Sequence, residues 1–323
     1  MARLRRAPTR CTHCVFRWLT GSMPRLVVLA FIWGWSFFFI KIAIEGLTPT
    51  TIAWARIALG AAVLHVVLRR RRGRLPRDRG VVGHLIFVAV VGNMAPFSLL
   101  AWAEQDITSA LTAVLNASTP LFTAVFSAIA LSERLRPVQI TGLVVGVSGV
   151  TLAAGLGASD VHGSSLTGSL AAVGAGACYG TAFVYMRRNL TGLPPIVAAT
   201  GQLTAGAVLL APFAIATSAI EGVALTPSRV GAVFLLGAVG TGVAFVLNYR
   251  VVGELGATKA SLVTYLVPVV AIGAGVIVLG EPFGWRLVVG TGLTIAGIGA
   301  VTLGRTQRLA ERRVAVEPAA AGS

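Results

Sequence analysis

The feature that most constrains this chain is a series of long apolar runs, each about 20 residues in length. A helix that crosses the hydrocarbon core of a bilayer needs about 20 mainly apolar residues, whereas a strand of a membrane barrel needs about ten alternating ones. We predict one membrane-spanning helix in each of ten runs: 26–44, 51–68, 83–103, 107–131, 138–156, 165–186, 195–217, 229–249, 257–279 and 285–304. The sequence therefore predicts an all-α polytopic membrane protein with ten transmembrane helices.

Composition excludes a water-soluble globular protein. Of the 323 residues, 55% are hydrophobic and only 12% are charged, and the mean hydropathy is +0.83. A soluble domain has roughly twice this charged fraction, so too few charged residues are present to cover an apolar core. The net charge of +16 would suit a nucleic-acid partner only if it formed one basic face on a soluble fold. We therefore expect the lipid bilayer, and no nucleic acid, as a partner.

The positions of the arginines predict the orientation. Basic residues stay on the cytoplasmic side, and here they occupy both tails and the even-numbered connections. These residues include Arg3, Arg5, Arg6, Arg10, Arg17, Arg25, Arg69 to Arg72, Arg134, Arg136, Arg187, Arg188, Arg250, Arg305, Arg308, Arg312 and Arg313. We predict an inner or plasma membrane location, with cytoplasmic tails at residues 1–25 and 305–323.

The N-terminal tail resembles neither a cleavable signal nor a folded domain, since it contains no A-x-A site before the first run. Met23 is an alternative start of the chain. Cys11 and Cys14 have the spacing of a metal or redox pair, but no second pair accompanies them. We expect neither a metal nor a cofactor.

The two halves of the chain repeat one another. At an offset of 148 residues Pro120 falls on Pro268 and Glu133 on Glu281, and at 146 residues Gly34 falls on Gly180. Each repeat, 26–156 and 165–304, contains five predicted spans. Because five is odd, the second repeat enters the membrane from the opposite face, which predicts two inverted halves and alternating access to a midplane site.

These residues resemble the EamA-type members of the drug/metabolite transporter superfamily. The similar positions are Trp33-Gly34 with Ser36, Phe37 and Lys41, then Pro49 and Arg56, and the two segments from Pro120 to Glu133-Arg134 and from Pro268 to Glu281-Pro282. The resemblance implies a ten-helix basket around a central cavity, with the fifth and tenth spans at the periphery. It also implies a transporter rather than an enzyme, with export as the expected direction.

Two cations inside the spans are the first candidate ligands of a substrate. Lys41 and Arg56 lie toward the outer ends of spans one and two, and charge within a span costs about 2.5–3.5 kcal/mol at its centre. Arg56 could bind a carboxylate with bidentate geometry. The alternatives are that Lys41 extends to the membrane interface, or that both cations stabilise the helix bundle by binding helix-end carbonyls or Glu45.

Neutral polar and aromatic residues complete the predicted cavity. The polar candidates are Asn93, Asn116, Gln202, Thr264 and Tyr265, and the aromatic ones are Trp33, Phe37 and Tyr179. Hydrogen bonds between helices and packing against lipid or core are the alternatives for these two sets. Pro120 and Pro268 are candidate hinges for gating, or else passive kinks.

Acidic residues limit the choice of substrate. No Asp or Glu lies near the centre of a predicted span, and we expect water to reach Glu104 and Asp106 at the outer end of span three. A carrier of cations or protons usually places a carboxylate at the midplane. We therefore expect a neutral, zwitterionic or anionic metabolite, and no covalent chemistry.

Two other functions are alternatives to a metabolite exporter. A multidrug efflux carrier is the alternative within the transporter class, and a non-transporting receptor or scaffold is the alternative outside it. The closely spaced glycines of spans five and ten, such as Gly142 and Gly146, allow close helix packing and could also form a homodimer contact.

Overall fold

The protein is described by a computed structural model that covers residues 23–155 and 163–320. All the regular structure in these ranges is helical. The helices are α1 Met23–Ile44, α2 Pro49–Arg70, α3 Arg79–Asp106, α4 Ser109–Ala130, α5 Pro137–Ala153, α6 Gly163–Asn189, α7 Pro195–Glu221, α8 Pro227–Gly256, α9 Val263–Leu279 and α10 Trp285–Ala320. Cys11 and Cys14 lie outside the described residues.

Within the described ranges, eight helices are long and apolar enough to cross a membrane. The other two, α5 and α9, have 17 residues each, which is the lower limit for a span. An all-helical protein with several membrane spans is thereby confirmed. The predicted ninth span begins at residue 257, and here Gly256 (φ 77°) ends α8, a short helical turn follows, and α9 begins only at Val263.

Short sequence signals set the starts of several helices. Thr48 and Thr108 precede α2 and α4, and their side chains accept hydrogen bonds from the backbone N–H groups of Thr51 and Leu111. Proline is the first residue of α2, α5, α7 and α8. Both signals are expected where the first N–H groups of a helix have no partner within it.

Irregular turns occur inside the long helices. A π-helical segment interrupts α3 at Val90–Met94, and another interrupts α8 at Leu235–Val243. The two predicted hinge prolines differ in setting: Pro120 follows a break in α4 at Ala117 and Ser118, whereas Pro268 lies within a continuous α9. π-helical turns are frequent at functional sites.

Glycines allow α5 and α10 to pack backbone against backbone. A Cβ atom at Gly297 would lie 2.4 Å from the Cα atom of Gly146, and one at Gly149 would lie 2.5 Å from the backbone nitrogen of Thr294. These contacts leave no room for a side chain. The small residues predicted to permit close packing therefore serve a contact within the chain.

Two further glycine contacts are related by the sequence offsets. Gly34 of α1 packs on Val270 of α9, and Gly180 of α6 packs on Phe122 of α4. A shift of 146 residues moves Gly34 to Gly180, and a shift of 148 residues moves Phe122 to Val270. In the same way Gly60 packs on Leu203 and Gly206 packs on Ile57, and both members of this pair shift by 146 residues.

Candidate functional site

Arg56 occupies the interior of the helix bundle. Its side chain is 7% exposed, its Nε atom donates a hydrogen bond to Oγ1 of Thr241 at 2.9 Å, and its guanidinium carbon lies 4.0 Å from the ring centroid of Phe97. The Thr241 hydroxyl in turn donates to the carbonyl of Leu236 at 3.1 Å, across a turn of the π-helical segment of α8. The guanidinium plane is thus held by a hydroxyl and an aromatic ring.

The terminal nitrogens of Arg56 remain available. Among the described residues, Thr241 is the hydrogen-bond partner of this side chain, and it uses only Nε. A planar guanidinium with two free amino groups matches a carboxylate or phosphate in bidentate geometry. The arrangement can therefore bind an anionic group while the cation–π contact with Phe97 holds the side chain in place.

Aromatic residues surround this cation. The Tyr179 ring packs edge-on against Phe97, with centroids 6.3 Å apart. Tyr179 also packs against the core cluster that contains Phe37, Leu100 and other buried residues of α1, α3 and α6. The structure thus brings Arg56 and Tyr179 of the predicted set together around Phe97, and Phe37 lies in the neighbouring cluster that Tyr179 also contacts. Phe97 was missed, because only the tertiary structure places its ring under the guanidinium.

Lys41 is engaged elsewhere. Its Nζ atom donates hydrogen bonds to the backbone carbonyls of Glu104 at 2.6 Å and Ile107 at 3.0 Å. These carbonyls lie at the C-terminal end of α3, where the last carbonyls have no partner in the helix and attract a cation. In this conformation the Lys41 ammonium group binds the free carbonyls at the end of α3.

The burial of Glu104 differs from the sequence-based expectation. We expected water to reach its carboxylate, but the residue is 0% exposed. The reason is tertiary, because the last turn of α3 is packed within the bundle and neighbouring Ala101 and Ala103 are also 0% exposed. Both carboxylate oxygens lack a hydrogen-bond donor among the described residues. Lys41, Glu281 and Arg56 supply the main electrostatic interactions of this group.

Glu281 caps α4 from the far half of the chain. One carboxylate oxygen accepts a hydrogen bond from the N–H of Ser109 at 2.7 Å, and the other accepts from the N–H of Ala110 at 3.0 Å. A carboxylate at this position satisfies free N–H groups and interacts favourably with the helix dipole. The sequence marked Glu281 only as one half of a repeated pattern and did not indicate its partner.

The predicted amides lie in the interior. Asn93, in the π-helical segment of α3, is 1% exposed and its Nδ2 atom lies 3.4 Å from the carbonyl of Val88. Gln202 is 6% exposed. The Oδ1 atoms of Asn93 and Asn116 have no hydrogen-bond donor among the described residues. Buried amides with free acceptors can bind donor groups of a ligand or water.

The other predicted residues lie in separate contacts. Trp33 packs against a cluster that includes Ala244, Val251 and Val263. The Tyr265 hydroxyl donates to Oγ1 of Thr302 in α10 at 2.9 Å, and the Thr264 hydroxyl donates to the carbonyl of Ser261. These contacts, described above, involve neither Arg56 nor Phe97, so they do not join the three residues to the Arg56 cluster.

Both ends of the bundle carry a cavity. We call the end that contains Arg71, Arg187 and Arg250 the Arg-rich end, and the opposite end, which contains Ser109 and Glu281, the Arg-poor end. The cavity at the Arg-poor end, near the start of α2, has about 360 Å³ and is lined mainly by apolar residues: Leu47, Thr51, Ala55, Leu59, Val223, Leu225, Val230, Val233 and Phe234. A cavity of about 260 Å³ opens at the Arg-rich end, lined by Arg71, Pro194, Pro195, Ile196, Val246, Tyr249 and Arg250. Its lining residues Ile196, Val246 and Tyr249 also pack against the cluster that contains Phe97. This cavity therefore adjoins the apolar cluster that contains Phe97.

Among the described residues, no group of three His, Cys, Asp or Glu side chains could hold a metal ion.

Comparison with known families is consistent with these features. The sequence model of the EamA-like transporter family matches residues 24–155 and 166–303. The uncharacterized transporter YoaV of Bacillus subtilis is 26% identical over 276 residues, which cover 85% of this chain and 94% of the relative. A probable terminal-alkyne amino-acid exporter of Streptantibioticus cattleyicolor is 27% identical over 291 residues, covering 89% and 96% of the two chains.

A solved crystal structure shares the fold. It superposes with a TM-score of 0.62 at 23% sequence identity, and the match covers 88% of this chain and 97% of the other.

Proposed function

Because the chain belongs to the EamA-like transporter family, we propose that it is a secondary carrier that exports a small, carboxylate-bearing metabolite of the amino-acid type. Family membership confirms the predicted resemblance and makes the chain a multi-pass membrane transporter rather than an enzyme. Substrate class, direction and mechanism are the proposed part.

The observation that carries this proposal is the Arg56 cluster. Burying a cation is costly unless an anion or a hydrogen-bond acceptor compensates its charge. The two terminal nitrogens of Arg56 have no hydrogen bond among the described residues. A carboxylate bound to them would complete the hydrogen bonding of the guanidinium. Arg71 and Arg250 line the cavity at the Arg-rich end and attract the same kind of ligand.

An amino-acid substrate is favoured over a lipophilic cation. A relative that matches over 89% of this chain is named a probable terminal-alkyne amino-acid exporter. A cationic drug would meet the positive charges of Arg56, Arg71 and Arg250 along this route. Phe97 and Tyr179 offer an apolar surface for the body of the substrate.

We infer alternating access between two inverted five-helix repeats, 26–156 and 165–304, in a ten-helix bundle with cytoplasmic tails. The matched glycine contacts of Gly34 with Val270 and of Gly180 with Phe122 support the repeats. The arginine distribution supports the orientation and makes the Arg-rich end cytoplasmic. Substrate would then enter from the cytoplasm through the cavity and leave at the Arg-poor end.

The test is flux in proteoliposomes with three related solutes. L-propargylglycine carries an ammonium and a carboxylate, 4-pentynoic acid lacks the ammonium, and 3-butyn-1-amine lacks the carboxylate. A panel of the common amino acids is measured in parallel. We expect transport of carboxylate-bearing solutes and none of the amine.

Three variants test whether Arg56 binds the carboxylate of the substrate. Arg56→Ala should lower carboxylate transport about 10- to 150-fold, the equivalent of one charge-assisted hydrogen-bonded contact of about 1.5–3 kcal/mol. Arg56→Lys should recover part of this loss, and exposed Arg286→Ala should leave transport unchanged. Wild-type transport of lipophilic cations alone, or carboxylate transport unaffected in a correctly folded Arg56→Ala, would contradict the proposal.

A further inference from the structure

The Glu104 carboxyl group differs in its surroundings from the other acidic groups of this protein for which contacts are described. It is 0% exposed, and neither of its oxygens has a hydrogen-bond donor among the described residues. We propose that Glu104 is a proton-binding site, that it holds a proton in this conformation, and that its protonation couples transport to a proton gradient. The coupling, though not the proton site itself, rests on the proposed transport function.

The neighbouring charges are already engaged by other groups. Lys41 of α1 donates to two backbone carbonyls, and Arg56 of α2 is held by Thr241 and Phe97. Glu281, between α9 and α10, accepts from the amides of Ser109 and Ala110 and adds a repulsive negative charge. None of these contacts supplies a donor to the Glu104 carboxyl group.

A buried carboxylate without a donor is strongly unfavourable, because it loses its hydration and gains no hydrogen bond in return. The neutral acid avoids most of this cost. The two cations are close enough to interact with the carboxylate but do not bond to it, which leaves the group able to titrate when its surroundings change. Glu104 is therefore placed to bind and release a proton rather than to form a permanent ion pair.

Access of water to this group depends on conformation. The capping of α4 by Glu281 and the binding of Lys41 to the end of α3 seal the Arg-poor end around Glu104. When this end opens, the carboxylate accepts a proton from water and becomes a neutral acid. In this conformation the cavity at the Arg-rich end is lined by residues other than Glu104, which stays buried and protonated. When the opening at that end extends to Glu104, the acid returns the proton to water there and becomes a carboxylate. One proton thus crosses per cycle.

The exposed acid Asp106 provides a matched control. It lies two residues further along α3, is exposed, and accepts a hydrogen bond from Thr167 at 3.2 Å. Glu104→Gln has the shape of the neutral acid and should fold, whereas Asp106→Asn makes the equivalent change outside the buried site.

Infrared spectroscopy of the purified protein in lipid tests the proton site directly and requires no substrate. A protonated carboxyl group without a hydrogen bond gives a carbonyl stretch at the high-frequency end of its range. We expect this band in wild type at neutral pH, its loss in Glu104→Gln and its retention in Asp106→Asn. Absence of the band in wild type, or its persistence in Glu104→Gln, would overturn the assignment.

Proteoliposomes loaded with a pH-sensitive dye test the coupling, with L-propargylglycine and the common amino acids as probes. Glu104→Gln should retain the exchange of labelled for unlabelled probe. Its accumulation of probe driven by a pH gradient should fall at least about tenfold, which corresponds to a free-energy change of about 1.4 kcal/mol. Asp106→Asn should retain both. Gradient-driven accumulation in Glu104→Gln, or loss of its exchange, would refute coupling at this residue. If wild type moves no probe, the transport proposal fails while the infrared result still decides the proton site.

Discussion

The two ends of the bundle use similar sequence elements in opposite ways. Glu104 is the third residue from the end of α3 at the Arg-poor end, and Glu254 is the third residue from the end of α8 at the Arg-rich end. Glu104 is 0% exposed, whereas Glu254 pairs with Arg25, and these two side chains are 42% and 44% exposed. The same position in a helix thus becomes an interior site at one end and a surface ion pair at the other.

Glu133 and Glu281, which correspond at the offset of 148 residues, also differ in their contacts. Glu281 at the Arg-poor end caps α4 through two backbone amides, and Glu133 at the Arg-rich end pairs with Arg187 at 2.7 Å. Hydroxyl contacts of Thr50 with Thr217 (2.6 Å) and of Thr51 with Ser218 (2.7 Å) add to the links at the Arg-poor end. The comparison indicates more polar links between helices at the Arg-poor end, where the cavity is lined mainly by apolar residues, and a cavity lined by two arginines at the Arg-rich end.

The largest effect is expected for Glu281→Ala, because it leaves the amides of Ser109 and Ala110 without their acceptor. The free energy of unfolding should fall by about 2 kcal/mol or more, as for loss of a helix cap formed by a charged group. Glu133→Ala should cost about 1 kcal/mol or less, since its partner Arg187 is 42% exposed. Unfolding with sodium dodecyl sulfate in mixed micelles measures both. Equal losses would remove the distinction between the ends.

Lys41→Met should have the next largest effect on stability. The substitution keeps the length of the side chain and removes two hydrogen bonds from an ammonium group, but it also removes the cost of burying that charge, so we expect a net loss of about 1–2 kcal/mol. Lys41→Arg keeps a charged donor and should recover part of the loss. The melting temperature in detergent should be highest for wild type, lower for Lys41→Arg and lowest for Lys41→Met. A Lys41→Met variant as stable as wild type would show that the ammonium does not hold the end of α3.

Cysteine labelling compares access to the two ends. In a background where Cys11, Cys14 and Cys178 are serine, Ile196→Cys lies in the cavity at the Arg-rich end, and Ala110→Cys lies at a 0% exposed position beside Glu281. A water-soluble maleimide should react with the first at least about tenfold faster, since the second needs local opening of about 1.4 kcal/mol or more. Faster labelling at residue 110 would mean that the protein in lipid is open at the Arg-poor end.

The smallest effect is expected for Arg25→Ala. An ion pair between two side chains that are more than two-fifths exposed contributes about 0–1 kcal/mol and is screened by salt. The free energy of unfolding should change by less than about 1 kcal/mol, and by less still at high salt. A larger, salt-independent loss would show that the Arg-rich end is held as firmly as the other.

Local patterns predicted the helices well. Apolar runs located the candidate membrane helices, because this signal depends on neighbouring residues alone. The runs placed the starts of α2 and α8 two residues late, at 51 and 229, since they did not use the threonine and proline signals that precede them. The offsets of 146 and 148 residues relate pairs of glycine contacts in the structure, although the sequence did not indicate which residues these glycines contact. Contacts between helices were less predictable. Tyr265 reaches Thr302, Phe97 lies under Arg56, and Glu281 caps α4, and no local pattern indicates these partners.

The sequence by itself determined the membrane environment, the family and the presence of a buried cation at Arg56, because hydropathy, charge distribution and motif spacing are properties of the chain. The tertiary structure alone decided the use of the charges: Arg56 faces Phe97, Lys41 binds carbonyls, and Glu104 is sealed from water. The physical reason is that the state of a charged group depends on the atoms packed around it. Those atoms come from helices far apart in the chain, so position within one helix could not indicate that Glu104 is buried.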